Sequence, residues 1–229
     1  EKGEILVELA KPIVQNFDSL RTQFAEQLRS HRLKLRVSAP NSILVDDLPE
    51  TIREYCSQYP EVSLSLIDRP SGAARKMLED GEVDLAIVGL LERRLPKTLT
   101  VDEMATFPFM LVCPPAHPLL KLKRIRPADL VQYAFVMPAP GTNGRQRVEE
   151  VLTRFGLNEK LQIAMETGTK DLLMRYVQMD FGIAVIPVSS RYVDAAIKDE
   201  NRELAFYDLS AAFGHETIVI LRRKVQSEP

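Results

Sequence analysis

Three short stretches of this sequence set hydroxyl, amide and backbone donors just ahead of a helical pattern. They are Asn41-Ser42, Thr142-Asn143 with Arg145, and Thr167-Gly168-Thr169. Helix starts carry free N–H groups and favour negative charge, so the chemistry these residues suit is reversible capture of an anion or a polar organic molecule. Each set also has a purely structural use. Ser42 or Asn41 can cap a helix with the atoms that would hold a ligand, Thr142, Asn143 and Thr169 can do the same, and Arg145 can form a surface salt bridge as well as grip a carboxylate. Gly89, after a strand pattern, permits close backbone approach. Met137 and Pro187, in the strand patterns AFVMPA and GIAVIP, complete the candidate set, with Ile186-Pro187 serving as either an apolar wall or core.

Catalysis would need a nucleophile, a base and an orienting group within reach. His31, His117 and His215 fall in a linker, a Pro-rich connection and a strand start, and no carboxylate pair accompanies them. PGTNG and SGAAR lack the full phosphate-loop pattern. Cys56 and Cys113 have neither metal nor disulfide-framework spacing, and both read as small core hydrophobes, as in a reducing compartment. No catalytic residue, metal or cofactor is expected, although similar folds do host enzymes.

The elements that must position these residues follow a βα rhythm. LKLRVS reads as a strand, Ser42–Tyr59 as a helix with Leu44, Leu48, Ile52, Tyr55, Cys56 and Tyr59 on one face, and VSLSLID as a second strand. Ser71–Asp80 is a short helix closed by Gly81, and VDLAIVG is apolar enough to be buried on both faces, as parallel strands are. TLTVDEM and PFMLVCP read as two strands, and HPLLKLKRIRPADL as a Pro-punctuated connection. A second unit follows: AFVMPA, a helix over Arg145–Phe155, LQIAMET, a helix over Lys170–Gln178, and GIAVIP. HETIVILRRK reads as a strand returning to the first sheet. The fold class is therefore α/β, with two Rossmann-like lobes joined by two crossover segments. Lobe I is expected at 33–105 and 208–229, and lobe II at 106–207.

The first 32 residues differ. Leu6, Leu9, Ile13, Phe17, Leu20, Phe24 and Leu28 form a narrow a/d seam that suits a helix pairing with its own symmetry mate, with Pro12 kinking it or marking its effective start. With 30 Lys and Arg against 32 Asp and Glu, the formal charge is −2, so the chain as a whole carries no electrostatic footprint for nucleic acid. No apolar run approaches the roughly 18 residues of a membrane span, and a cytoplasmic location is expected.

EKGEILVELAKPIV resembles the end of the wing and the start of the linker helix in LysR-type regulators. LKLRVSAPNSILVDDLPETIREYCSQYPEVSLSLIDRP is similar to the opening of that family's effector domain. GEVDLAIVG, VCPPAHPL with RPADL, and MRYVQMDFGIAVIP follow in the family's order and spacing. The family often carries hydroxyl residues after the first strand. Here Ser42 stands in such a position, and Pro40 where another small polar residue is common.

The resemblance implies a type II periplasmic-binding-protein-like fold preceded by a linker helix, with a ligand cleft between the lobes. It also implies a small anionic or polar effector, homodimers or homotetramers, and DNA contact through an N-terminal winged helix-turn-helix outside these residues. A solute-binding protein of a transport system is the rival reading. The heptad helix argues against it, because a secreted monomer has no use for such a seam.

Overall fold

The computed structural model describes Gly3 and residues 33–91, 96–198 and 203–224. The seam expected over 1–32 lies outside the described residues. In the first half of the molecule β1 (Lys34–Ala39), β2 (Ser63–Asp68) and β3 (Leu85–Leu90) run parallel in the order β2-β1-β3. They are connected by α1 (Pro49–Gln58) and α2 (Ser71–Glu79). The helix expected over 42–59 is broken at its start by a π-helical turn, Ile43–Asp47. Pro49 has no N–H to return to Val45, and the chain widens so that the Leu48 amide reaches the Ile43 carbonyl instead, at 3.1 Å.

β4 (Leu99–Cys113) is one continuous strand of 15 residues where the sequence suggested two. The expected break survives as a register irregularity between Glu103 and Ala105. Up to Pro108 it pairs with β9 (His215–Arg223), and from Phe109 onward it pairs with β7 (Ala184–Pro187) and β8 (Ala205–Asp208). Pro108 thus sits where β4 changes partners, a point at which a missing donor is tolerated. The Pro-punctuated connection then folds as a 3₁₀ turn, Pro118–Lys121, and one helical turn, α3 (Pro127–Leu130).

The second half holds β5 (Ala134–Pro138) parallel to β6 (Gln162–Thr167), with β5 reaching β7 through a bridge between Phe135 and Ile183. Its helices are α4 (Asn143–Arg154), α5 (Lys170–Gln178) and α6 (Ser190–Lys198). Gly182 is obligatory at the bridge, because a Cβ there would lie 2.4 Å from the Ala134 carbonyl oxygen. From β8 the chain passes through α7 (Ser210–Phe213) into β9, which returns to the first sheet between β3 and β4, as expected. The two crossings touch: the Phe109 amide donates to Gly214 O at 3.2 Å and the Leu209 amide to Phe109 O at 2.9 Å.

Each sheet buries both faces, which fixes register because a one-residue slip would exchange them. Val37, Ile87 and Ile218 face one core of the first half, and Ala86, Val88 and Leu221 face the other. Phe109, Phe135 and Met137 pack against α4 on one side of the second half, and Val112, Val136 and Ile186 against α5 on the other. Cys113 is buried as expected, but Cys56 is exposed. Burial fades along α1 and its flanks, from Leu48 to half-buried Ile52 to exposed Tyr59.

Candidate functional site

A cleft of about 290 Å³ opens between the two halves. From the first half come the π-turn start, the loop Asp68–Ser71, Gly89 and the β9 residues Glu216 and Ile218. The second half contributes Pro138, the start of α4, Thr167–Lys170, Ile186, Pro187 and Ser189. Apart from Glu216 and Ile218, which stand at the start of antiparallel β9, these segments lie at the carboxyl ends of strands and the starts of the helices that follow, the place where open α/β sheets hold ligands.

The sequence-predicted residues Asn41, Ser42, Gly89, Thr142, Thr167, Gly168, Thr169 and Pro187 all line this cleft. Met137 and Arg145 do not. Met137 alternates to the inner face of β5 and is fully buried in the core. Arg145 stands one turn into α4, and its guanidinium is occupied by Glu149 and by Glu166 at 2.6 Å, so the salt-bridge alternative holds.

The capping alternatives divide. Thr142 Oγ1 accepts from the Arg145 amide at 3.4 Å and Thr169 Oγ1 from the Leu172 amide at 3.3 Å, so both start their helices while facing the cleft. Ser42 makes no such bond, since the Pro40 carbonyl already takes the Ile43 and Leu44 amides, and its hydroxyl is left to the cleft.

The floor is a four-residue arrangement of Glu216, Gly89, Asn143 and Ser71. Glu216 is 8% exposed. Its carboxylate lies across Gly89, where a Cβ would come within 2.1 Å of Oε1. Asn143 Nδ2, from the opposite half, donates to Glu216 Oε1 at 2.6 Å and to Gly89 O at 2.7 Å. The Gly89 amide donates to Ser71 Oγ at 3.0 Å. Gly89 therefore does permit close approach, and the approaching group is a side chain of the protein itself. Burial pushes the Glu216 carboxyl up to about 6, with the Asn143 bond and the distant Arg147 charge pulling the other way.

Two ion pairs cross between the halves at the rim. Lys170, the residue after the Thr169 cap, pairs with Asp46 of the π-turn and lies 3.7 Å from the Tyr192 ring centroid. Arg191 of α6 meets Glu50 of α1 at 2.5 Å, both side chains largely exposed. Burial also raises the Asp47 carboxyl, which the Ser189 hydroxyl partly offsets. The lining thus holds three carboxylates, Asp47, Asp68 and Glu216, against the cations Arg69 and Lys170.

Sequence reasoning missed Glu216, Lys170, Ser71 and Asp47. For Glu216 a signal existed, since it shares the inward alternation of Ile218 and Ile220 along HETIVILRRK, a place where an apolar residue is expected. Among the described residues no group of three His, Cys, Asp or Glu side chains could hold a metal ion, and no helix is long and apolar enough to cross a membrane.

The model of the LysR substrate binding domain matches residues 28–228. The chain belongs to this family. A probable nitrogen assimilation transcriptional activator of Synechocystis sp. is 27% identical over 189 residues, which cover 82% of this chain and 60% of that protein. The chain spans about three fifths of the length of such relatives, and these are transcription regulators, not transport proteins.

Among solved structures, the cofactor-binding domain of the Cbl transcriptional regulator superposes with a TM-score of 0.71 at 22% identity, covering 86% of this chain and 82% of that one. The regulatory domain of Synechocystis PCC6803 CcmR, in complex with 2-PG, also gives 0.71, at 18% identity and with 86% and 89% covered. The fold of this LysR-family chain is that of the effector-binding domains, as the resemblance implied.

Proposed function

We propose that this chain is the ligand-sensing part of a LysR-type transcription regulator that works in the cytoplasm and catalyses no reaction. In this reading the lobes are 33–105 with 208–229, and 106–207. Asn41, Ser42, Thr142 and Thr167–Thr169 hold a small polar or anionic effector, and a helix over 1–32 pairs copies into homodimers or homotetramers. Closure on the effector changes how the paired domains hold winged helix-turn-helix heads on DNA.

The observation that carries the reading is the cleft itself. Its polar lining is divided between two halves connected at two adjacent crossings, so a ligand that touches both sides acts directly on the angle between them. That a regulatory domain of the same fold is in complex with 2-PG supports a small-molecule effector.

Thermal-shift screening of organic acids, amino acids and oxyanions tests it. A ligand present at about a hundred times its Kd adds about 2.7 kcal/mol to stability, which moves the melting temperature by several degrees. A screen in which no compound moves it would refute the assignment.

A further inference from the structure

The charge in the cleft is not the pattern that a plain anion needs. Glu216 is a buried carboxylate at the floor whose hydrogen-bond donor is Asn143, and among the described residues no lysine or arginine forms an ion pair with it. Arg147, the nearest cationic influence, is taken up by Glu150 at 3.5 Å and by the Leu91 carbonyl. Asn143 and Gly89 together fix where the carboxylate stands, because Asn143 holds Oε1 from across the cleft and the missing Cβ at Gly89 leaves room for it.

A buried carboxylate that is positioned but not neutralised is an acceptor for a donor supplied from outside the chain. The second half offers the other polarity through the start of α5 behind the Thr169 cap, where Lys170 is already paired with Asp46. Asp47 and Asp68 add acceptors on the first half, and Arg69 adds the remaining cation.

We infer that the effector is bipolar, a small acid that also carries an ammonium or hydroxyl group donated to Glu216, as in an amino acid or a hydroxy acid. This rests on the cleft being the effector site. A simple carboxylic acid or an inorganic oxyanion would meet Glu216 with no donor to offer and would leave it unmatched. The cavity, at the low end of the usual range for ligand sites, suits a molecule of that modest size.

Matched probes decide the matter by titration calorimetry on the whole chain: succinate, malate and aspartate; propionate, lactate and alanine; and sulfate alone. Within a carbon skeleton the hydroxyl or amine member should bind on the order of ten- to a hundred-fold tighter than the plain acid, the usual worth of a hydrogen bond to a charged group. In Glu216→Gln that preference should fall to about threefold or less, while binding of the plain acid is held or improved.

Plain acids binding as tightly as their amine or hydroxyl partners would overturn the inference, as would a preference that survives Glu216→Gln. Sulfate and every acid failing to bind the wild-type chain is a separate outcome, which overturns the effector-site reading and this inference with it.

Discussion

Replacing Glu216 by glutamine should make the protein more stable near neutral pH, and only there. The carboxyl is raised from 4.5 to about 6, so the folded state holds the proton more tightly than the unfolded chain does. A raised carboxyl contributes its full stability below the unfolded value and loses it as pH climbs through the folded one. The shift of about 1.5 pH units corresponds to a cost of about 2 kcal/mol once both states are ionised, at 1.36 kcal/mol per unit. Glutamine keeps the shape and an acceptor for Asn143 Nδ2, but carries no charge to desolvate.

At about pH 7.5 the Glu216→Gln protein should therefore melt roughly 4–8 °C higher than wild type, by the usual conversion for a chain of this length. Near pH 4.5 the two should melt together. Melting curves across this range read both arms. A gain that is equal at the two ends, or a loss at neutral pH, would refute the burial argument.

The other expectations concern the walls and rim. Gly89→Ala drives a Cβ into the Glu216 carboxylate, so it should cost about 1–3 kcal/mol in urea unfolding. Much of that loss should return in a Gly89→Ala, Glu216→Ala double variant, and additive losses would place the damage elsewhere. Lys170→Met strands Asp46 in a pair whose side chains are only 11% and 13% exposed, so a loss on the order of 3 kcal/mol is expected by the same measurement. Thr169→Ala removes a helix cap worth about 1 kcal/mol and should also weaken acid binding, a combination that calorimetry and melting resolve together. Thiol titration should find Cys56 reactive in the native protein and Cys113 silent until denaturant is added, since burial pushes the Cys113 thiol up to about 11.

The parts of the fold that the sequence disclosed are those with clear periodicity. VDLAIVG could only be an inner strand, and the helix expected over Lys170–Gln178 has those bounds in the structure. Among the elements that escaped notice, β8 and α7 are four residues each, too short for a period of 2 or 3.6 to stand out, whereas α6 does carry a helical amphipathic pattern that was overlooked. Cys56 was expected in the core from its place in the apolar pattern, but whether a helical face is covered depends on what packs there, and no residue of α1 is fully buried.

The site divided in the same way. Loop residues such as Ser42, Thr167 and Thr169 were legible because strand ends and helix starts are local features. Glu216 and its contact with Asn143 were not, because 73 positions separate the two residues and their meeting depends on β9 returning beside β3.

Contacts from three side chains span the cleft. Asn143 ties the second half to Gly89 and Glu216, Lys170 reaches Asp46, and Arg191 reaches Glu50. A ligand can shift such an arrangement only by the difference in its affinity for the closed and open forms. The exposed Arg191–Glu50 pair contributes little to that difference, because solvent screens it. Asn143 and Lys170 contribute more, because the Lys170–Asp46 pair is largely shielded from solvent, Asn143 meets a buried carboxylate, and each connects opposite halves at the cleft lining. A buried carboxylate kept at a cost in stability is the kind of feature that function retains. A donor on the ligand adds a hydrogen bond to that carboxylate, so the energy of closure depends on the ligand's chemistry as well as its size.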